Sequence, residues 1–129
     1  MTVPTEHSEQ VALIAWAKMK TKAYPDLAYL VAVPNGGDRH PAVAAKLKAE
    51  GVSRGYPDLL LDVARGTFFG LRLELKRTKG GRLSEHQEAW HQRLRRQGYR
   101  VCVCQGWEAA AAELTAYLAQ PETRVVVAA

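Results

Sequence analysis

The sequence predicts an α/β fold, a mixed sheet with helices on both faces. Three observations lead there: residues 71–76 alternate leucine with charge, several helix-period stretches begin at capping residues and stop at glycine, and the elements run helix, strand, helix, hairpin, helix, strand, helix.

Thr5 can cap a first helix to about Lys22, with Val11, Leu13, Ile14, Ala15 and Ala17 at helical spacing, and Tyr24-Pro25 ends it. Ala28 to Val33 reads as a short buried strand, followed by the tight-loop punctuation Pro34-Asn35-Gly36-Gly37-Asp38. A second helix, Asp38 to Glu50, has Pro41 in its first turn and Val43, Ala44 and Leu47 on its apolar side, and Gly51 stops it. Leu59 to Val63 and Phe68 to Lys76 form a hairpin around Arg65-Gly66-Thr67, and Gly80-Gly81 closes its second strand. Ser84 caps a third helix to about Gln97, Arg100 to Gln105 is a strand, and Trp107 to Leu118 is a last helix.

With 129 residues, 47% of them hydrophobic, the chain suits one domain over 1–129, its core at about 5–119. The N-terminus has no signal-peptide pattern and no long apolar run occurs, so a soluble cytoplasmic protein without membrane contact is expected. Cys102 and Cys104 share a strand face as small buried hydrophobes, and no paired ligand spacing of a zinc site is present. The formal charge is +5, but Lys76 to Arg100 alone holds eight basic residues against two acidic ones, or +6. A basic surface that concentrated suits a nucleic-acid backbone. Sparse aromatics without a stacking pattern count against an RNA-binding module.

The chemistry lies in the hairpin. Leu71, Leu73 and Leu75 take one face of the second strand and Arg72, Glu74 and Lys76 the other. Aligning these leucines with Leu59 and Leu61 requires an antiparallel register whose paired numbers have an even sum. A three-residue loop achieves this by pairing Ala64 with Phe68, which sets Asp58 opposite Glu74. Facing carboxylates repel unless a cation lies between them, and hard oxygen ligands favour Mg²⁺ or Mn²⁺. Pro57 removes a ladder donor just before Asp58, as the mouth of a site requires. Gln87 shares the stripe of the third helix with Leu83, Trp90 and Leu94, so it points inward, yet Ser84-x-x-Gln87 also fits a capping box; the two roles are compatible.

Gly55-Tyr56-Pro57-Asp58, Glu74-Leu75-Lys76 and Ser84-Glu85-His86-Gln87, with Thr5-Glu6-His7, Pro34-Asn35-Gly36-Gly37, Lys46 to Val52 and Gly106-Trp107-Glu108, resemble the VRR-NUC branch of the PD-(D/E)XK nucleases in its stand-alone, phage-type form. The resemblance implies a restriction-endonuclease-like sheet and a metal-dependent DNA endonuclease, with branched or junction DNA among its candidate substrates. It implies a homodimer in a bacterial or phage-infected cytoplasm. The family's metal-binding aspartate falls on Asp58, its second carboxylate on Glu74, its lysine on Lys76 and its helix glutamine on Gln87. A first-helix glutamate falls on Glu6 or Glu9, with Glu6 preferred. Asp58, Glu74, the Leu75 carbonyl and Glu6 would then hold Mg²⁺ or Mn²⁺. Lys76, being a poor base at neutral pH, would act electrostatically on the attacking water. Arg77, Lys79, Arg82, Arg93, Arg95 and Arg96 would follow the DNA backbone, and Asn35, Arg39 and His40 could touch phosphate. His7, His86 and His91 match no ligand role. The rival from another class is a non-catalytic DNA-binding or assembly subunit, against which the intact acidic pair argues.

Overall fold

A computed structural model describes residues 2–34 and 40–129. Helix α1 (Glu6–Met19) is capped by the Thr5 hydroxyl, which accepts from Ser8 N. A 3-10 segment, Pro25–Tyr29, follows where the sequence suggested the start of a strand, because Pro25 favours a helical first turn. Strand β1 is only Leu30–Ala32. It is not buried as expected: it stands at the end of the sheet order, and Val31 is 51% exposed.

Helix α2 (Pro41–Ala49) starts later than its sequence pattern suggests, capped by His40 Nδ1, which accepts from Ala42 N. None of its residues is buried, and of Val43, Ala44 and Leu47 only Leu47 is half-covered. The other elements are β2 (Leu59–Leu61), β3 (Leu71–Lys76), α3 (Glu85–Arg96), β4 (Arg100–Gln105) and α4 (Trp107–Leu118). Among the described residues, none lies in a helix long and apolar enough to cross a membrane.

The sheet order is β1-β2-β3-β4, with antiparallel β1/β2 and β2/β3 pairs and a parallel β3/β4 pair. The expected hairpin register is present, since Leu59 faces Leu73 and Leu61 faces Leu71. Its turn differs. Phe68 pairs with Arg65 rather than Ala64, so one extra residue sits on the β2 side, as in a bulge. Neighbouring chain draws this end away from a simple hairpin: Gly66 N donates to Pro121 O, Phe69 N to Gly98 O, and Arg65 also pairs with Glu122.

Leu59, Leu61, Leu71, Leu73 and Leu75 bury one sheet face against Leu13 and Ala17 of α1 and Ala110 and Leu114 of α4. Cys102 and Cys104 join this core as free thiols, which burial pushes up to about 12 and about 11, so they stay protonated and inert. Helix α3 covers the opposite face. There Arg72, Glu74 and Lys76 are only 6%, 1% and 8% exposed, so the charged face of β3 is enclosed rather than solvated.

Candidate active site

Asp58 enters the site from a bend that packing dictates. Gly55 has φ +90°, and a Cβ there would stand 2.5 Å from the backbone carbonyl carbon of His86, so only glycine lets this loop approach the first turn of α3. Pro57 is fully buried behind Asp58. The Asp58 carbonyl accepts from Val33 N at 2.8 Å, while its Oδ2 accepts from Leu75 N at 2.8 Å. The side chain thus takes the place of a strand partner for β3. One further step of the β2/β3 register puts Asp58 opposite Glu74.

The two carboxylates stand side by side, near enough for Glu74 to raise Asp58. Glu74 Oε1 accepts from His91 Nε2 at 3.0 Å, and Glu74 Oε2 is buried with no partner. Burial first, then contact with Glu74, raises Asp58 from 3.8 to about 7, and burial likewise raises Glu74. Each holds its proton more readily than in water, and the two titrate as a pair.

A linked prediction follows from the raised Asp58. The unfolded chain loses this proton near 3.8 and the folded chain near 7, so the folded state binds more protons between those values and loses stability as pH rises. Asp58→Asn stays neutral and can still accept from Leu75 N. In metal-free buffer its melting temperature should therefore gain on that of the unaltered protein from pH 5 to pH 8, by on the order of 10 °C. Taking the difference removes most of the opposite contribution of His91, whose ring burial makes harder to protonate. A constant difference in thermal melts across that range would refute the raised acidity of this pair.

Lys76 Nζ donates to Gln87 Oε1 at 3.1 Å and lies 3.7 Å from Glu6 Oε1. Gln87 serves both roles read from the sequence, because its Oε1 also accepts from Ser84 N in a complete capping box. Glu6 therefore meets the site through Lys76. Glu9 turns elsewhere: it is 6% exposed, and its unpartnered Oε2 would lie 3.1 Å from a Cβ on Gly106, at the start of α4. Of the two glutamates, Glu6 is the one the fold brings to Lys76.

Sequence reasoning missed two residues. His91 matches no ligand role in the sequence, yet it is 1% exposed and bonded to Glu74; its one sequence signal is its position one turn beyond Gln87 on the inward stripe. Arg72 is fixed by the Tyr56 hydroxyl at 3.0 Å, Asp62 at 3.2 Å and the Tyr99 ring at 4.2 Å. It ties β3 to the loop that delivers Asp58.

The basic residues form two groups. Arg77, Lys79 and Arg82 are exposed just beyond Lys76, whereas Arg93, Arg95 and Arg96 are exposed at the far end of α3, where Arg95 also donates to Val101 O at 3.3 Å. His40 caps α2, and the Asn35 and Arg39 expectations lie outside the described residues.

A divalent ion fits this donor set in part. The buried, unpartnered Glu74 Oε2 beside the Asp58 carboxylate is a cation-seeking feature, and both donors are hard oxygens. Among the described residues, however, no three His, Cys, Asp or Glu side chains converge as a metal cage. The fit is to an ion that keeps much of its water, as Mg²⁺ does.

The family model described as the VRR-NUC domain matches residues 5–108. A solved structure of a VRR_NUC domain protein superposes with a TM-score of 0.81 at 30% identity, covering 95% of this chain and 94% of that one. Among curated proteins, none matches the chain.

Proposed function

Because the chain belongs to the VRR-NUC domain family, we propose that it is a divalent-metal-dependent DNA endonuclease hydrolysing phosphodiester bonds at the Asp58–Glu74 pair. The observation that carries this reading is the enclosed carboxylate pair, with Glu74 Oε2 buried and unpartnered. Asp58, Glu74 and the Leu75 carbonyl would hold Mg²⁺ or Mn²⁺, with water and Glu6 completing the set. When bound, the ion supplies Lewis-acid relief of charge on the scissile phosphate and leaving oxygen.

The protein's own groups do the rest. Gln87 and Glu6 hold the Lys76 ammonium beside the acids, where it can orient the attacking water or offset charge on the phosphate. Arg77, Lys79 and Arg82 lie nearest the site and would grip the phosphates flanking the cut, while Arg93, Arg95 and Arg96 would hold the strand further along. His40, with Asn35 and Arg39, would touch phosphate. A homodimer would present two such sites to a two-fold branched substrate.

Cleavage of end-labelled linear, nicked, flapped and four-way DNAs in Mg²⁺, Mn²⁺ or EDTA tests this reading. Metal-dependent products are expected on at least one substrate. DNA binding without cleavage in either metal would favour the non-catalytic subunit instead.

Replacing Arg93, Arg95 and Arg96 together should weaken DNA binding and flatten its salt dependence by roughly one log-log unit per lost phosphate contact. Fluorescence anisotropy over a salt series reads this slope. If it does not change, that end of α3 does not meet the backbone.

A further inference from the structure

We infer that His91 is a positioning residue for Glu74, holding one carboxylate oxygen so that the other is presented to a divalent ion. This rests on the site reading above. Its basis is the way α3 is laid across β3. Lys76 and Glu74 are two residues apart on a strand, a rise of roughly 6.6 Å. Gln87 and His91 are four residues apart on a helix, a rise of about 6 Å. The two spacings match, so one helix stripe meets one strand face twice: Gln87 Oε1 with Lys76 Nζ at 3.1 Å, and His91 Nε2 with Glu74 Oε1 at 3.0 Å.

The chemistry of the pair assigns the proton. A carboxylate can only accept, so the bond at 3.0 Å has Nε2–H donating to Oε1. His91 Nδ1 is buried without a partner, which a bare lone pair tolerates better than an N–H would. Glu74 is an unbranched side chain with several rotamers, and the His91 bond pins one oxygen while Oε2 remains unengaged beside Asp58. Partners of this kind around a metal site typically contribute ten- to a hundredfold in metal affinity.

Calorimetric Mn²⁺ titration of the full chain, with melting curves recorded alongside, tests the assignment. In His91→Gln an amide N–H can replace the ring donor, and affinity should stay within a few-fold of the unaltered protein. His91→Leu removes the donor, and affinity should fall roughly ten- to a hundredfold with a cooperative melt retained. If the Leu variant does not melt cooperatively, His91→Met takes its place under the same criterion. A role confined to packing would lower the melting temperature and leave Mn²⁺ affinity alone. The inference is overturned if the apolar variant binds Mn²⁺ as the unaltered protein does, or if the Gln variant is as weak as the apolar one. An unaltered protein that binds no Mn²⁺ overturns the site reading itself, a different result from either.

Discussion

Glu74→Gln should abolish metal-dependent cleavage, with a loss of at least roughly a thousandfold, or about 4 kcal/mol in the barrier. The substitution is chosen for what it keeps. Glu74 is 1% exposed and accepts from His91, so the amide oxygen of Gln can retain that bond and the side-chain volume while removing the charge. Glu74→Ala is a poorer probe than the sequence pattern alone suggests. It would leave a cavity and an unpaired buried His91 N–H, on the order of 1–3 kcal/mol of stability. Near-normal single-turnover cleavage by a folded Gln variant would remove Glu74 from the chemistry. DNA binding should survive, because an acid that repels phosphate has been neutralised.

Lys76→Met should separate metal binding from turnover. The side chain is 10% exposed and its stem is enclosed, so Met keeps the packing. Gln87 Oε1 keeps its bond from Ser84 N, and Glu6 is half-exposed, so loss of the ammonium leaves no acceptor stranded. A cation beside Asp58 and Glu74 repels a second cation, so Mn²⁺ affinity at pH 8 should be kept or strengthened in its absence. The contact with charge developing in the reaction is lost, and the single-turnover rate should fall about a hundredfold, near 3 kcal/mol. Full activity would exclude Lys76 from the mechanism. Lost metal affinity would make its role the shaping of the acidic pair.

Much of this site is legible in the sequence because it lies in a hairpin, where period-2 leucines leave one register compatible with both strands. That logic places Asp58 opposite Glu74 and Lys76 on the same face. It breaks down at the turn, because Gly66, Phe69 and Arg65 answer to Pro121, Gly98 and Glu122, partners that no local pattern specifies. The dual role of Gln87 is legible too, since the capping box and the inward stripe both concern one helix. The Glu74–His91 and Arg72–Tyr56 pairs are not. Each joins residues 17 or 16 apart, and depends on how α3 and the Gly55 loop settle over β3. An alternating strand with one charged face reads as half-solvated until the helix above it is placed.

Whether Asp58 and Glu74 together hold a divalent ion is tested most directly by calorimetric Mn²⁺ titration of metal-free protein near pH 6.5. Repeating the titration in buffers of different ionisation enthalpy reads proton release. With Asp58 raised to about 7, one Mn²⁺ site is expected whose filling releases a substantial part of one proton, with both heat and proton release lost in Glu74→Gln. Mn²⁺ binding of equal strength in the Gln variant, or the absence of any binding to the unaltered chain, would contradict it.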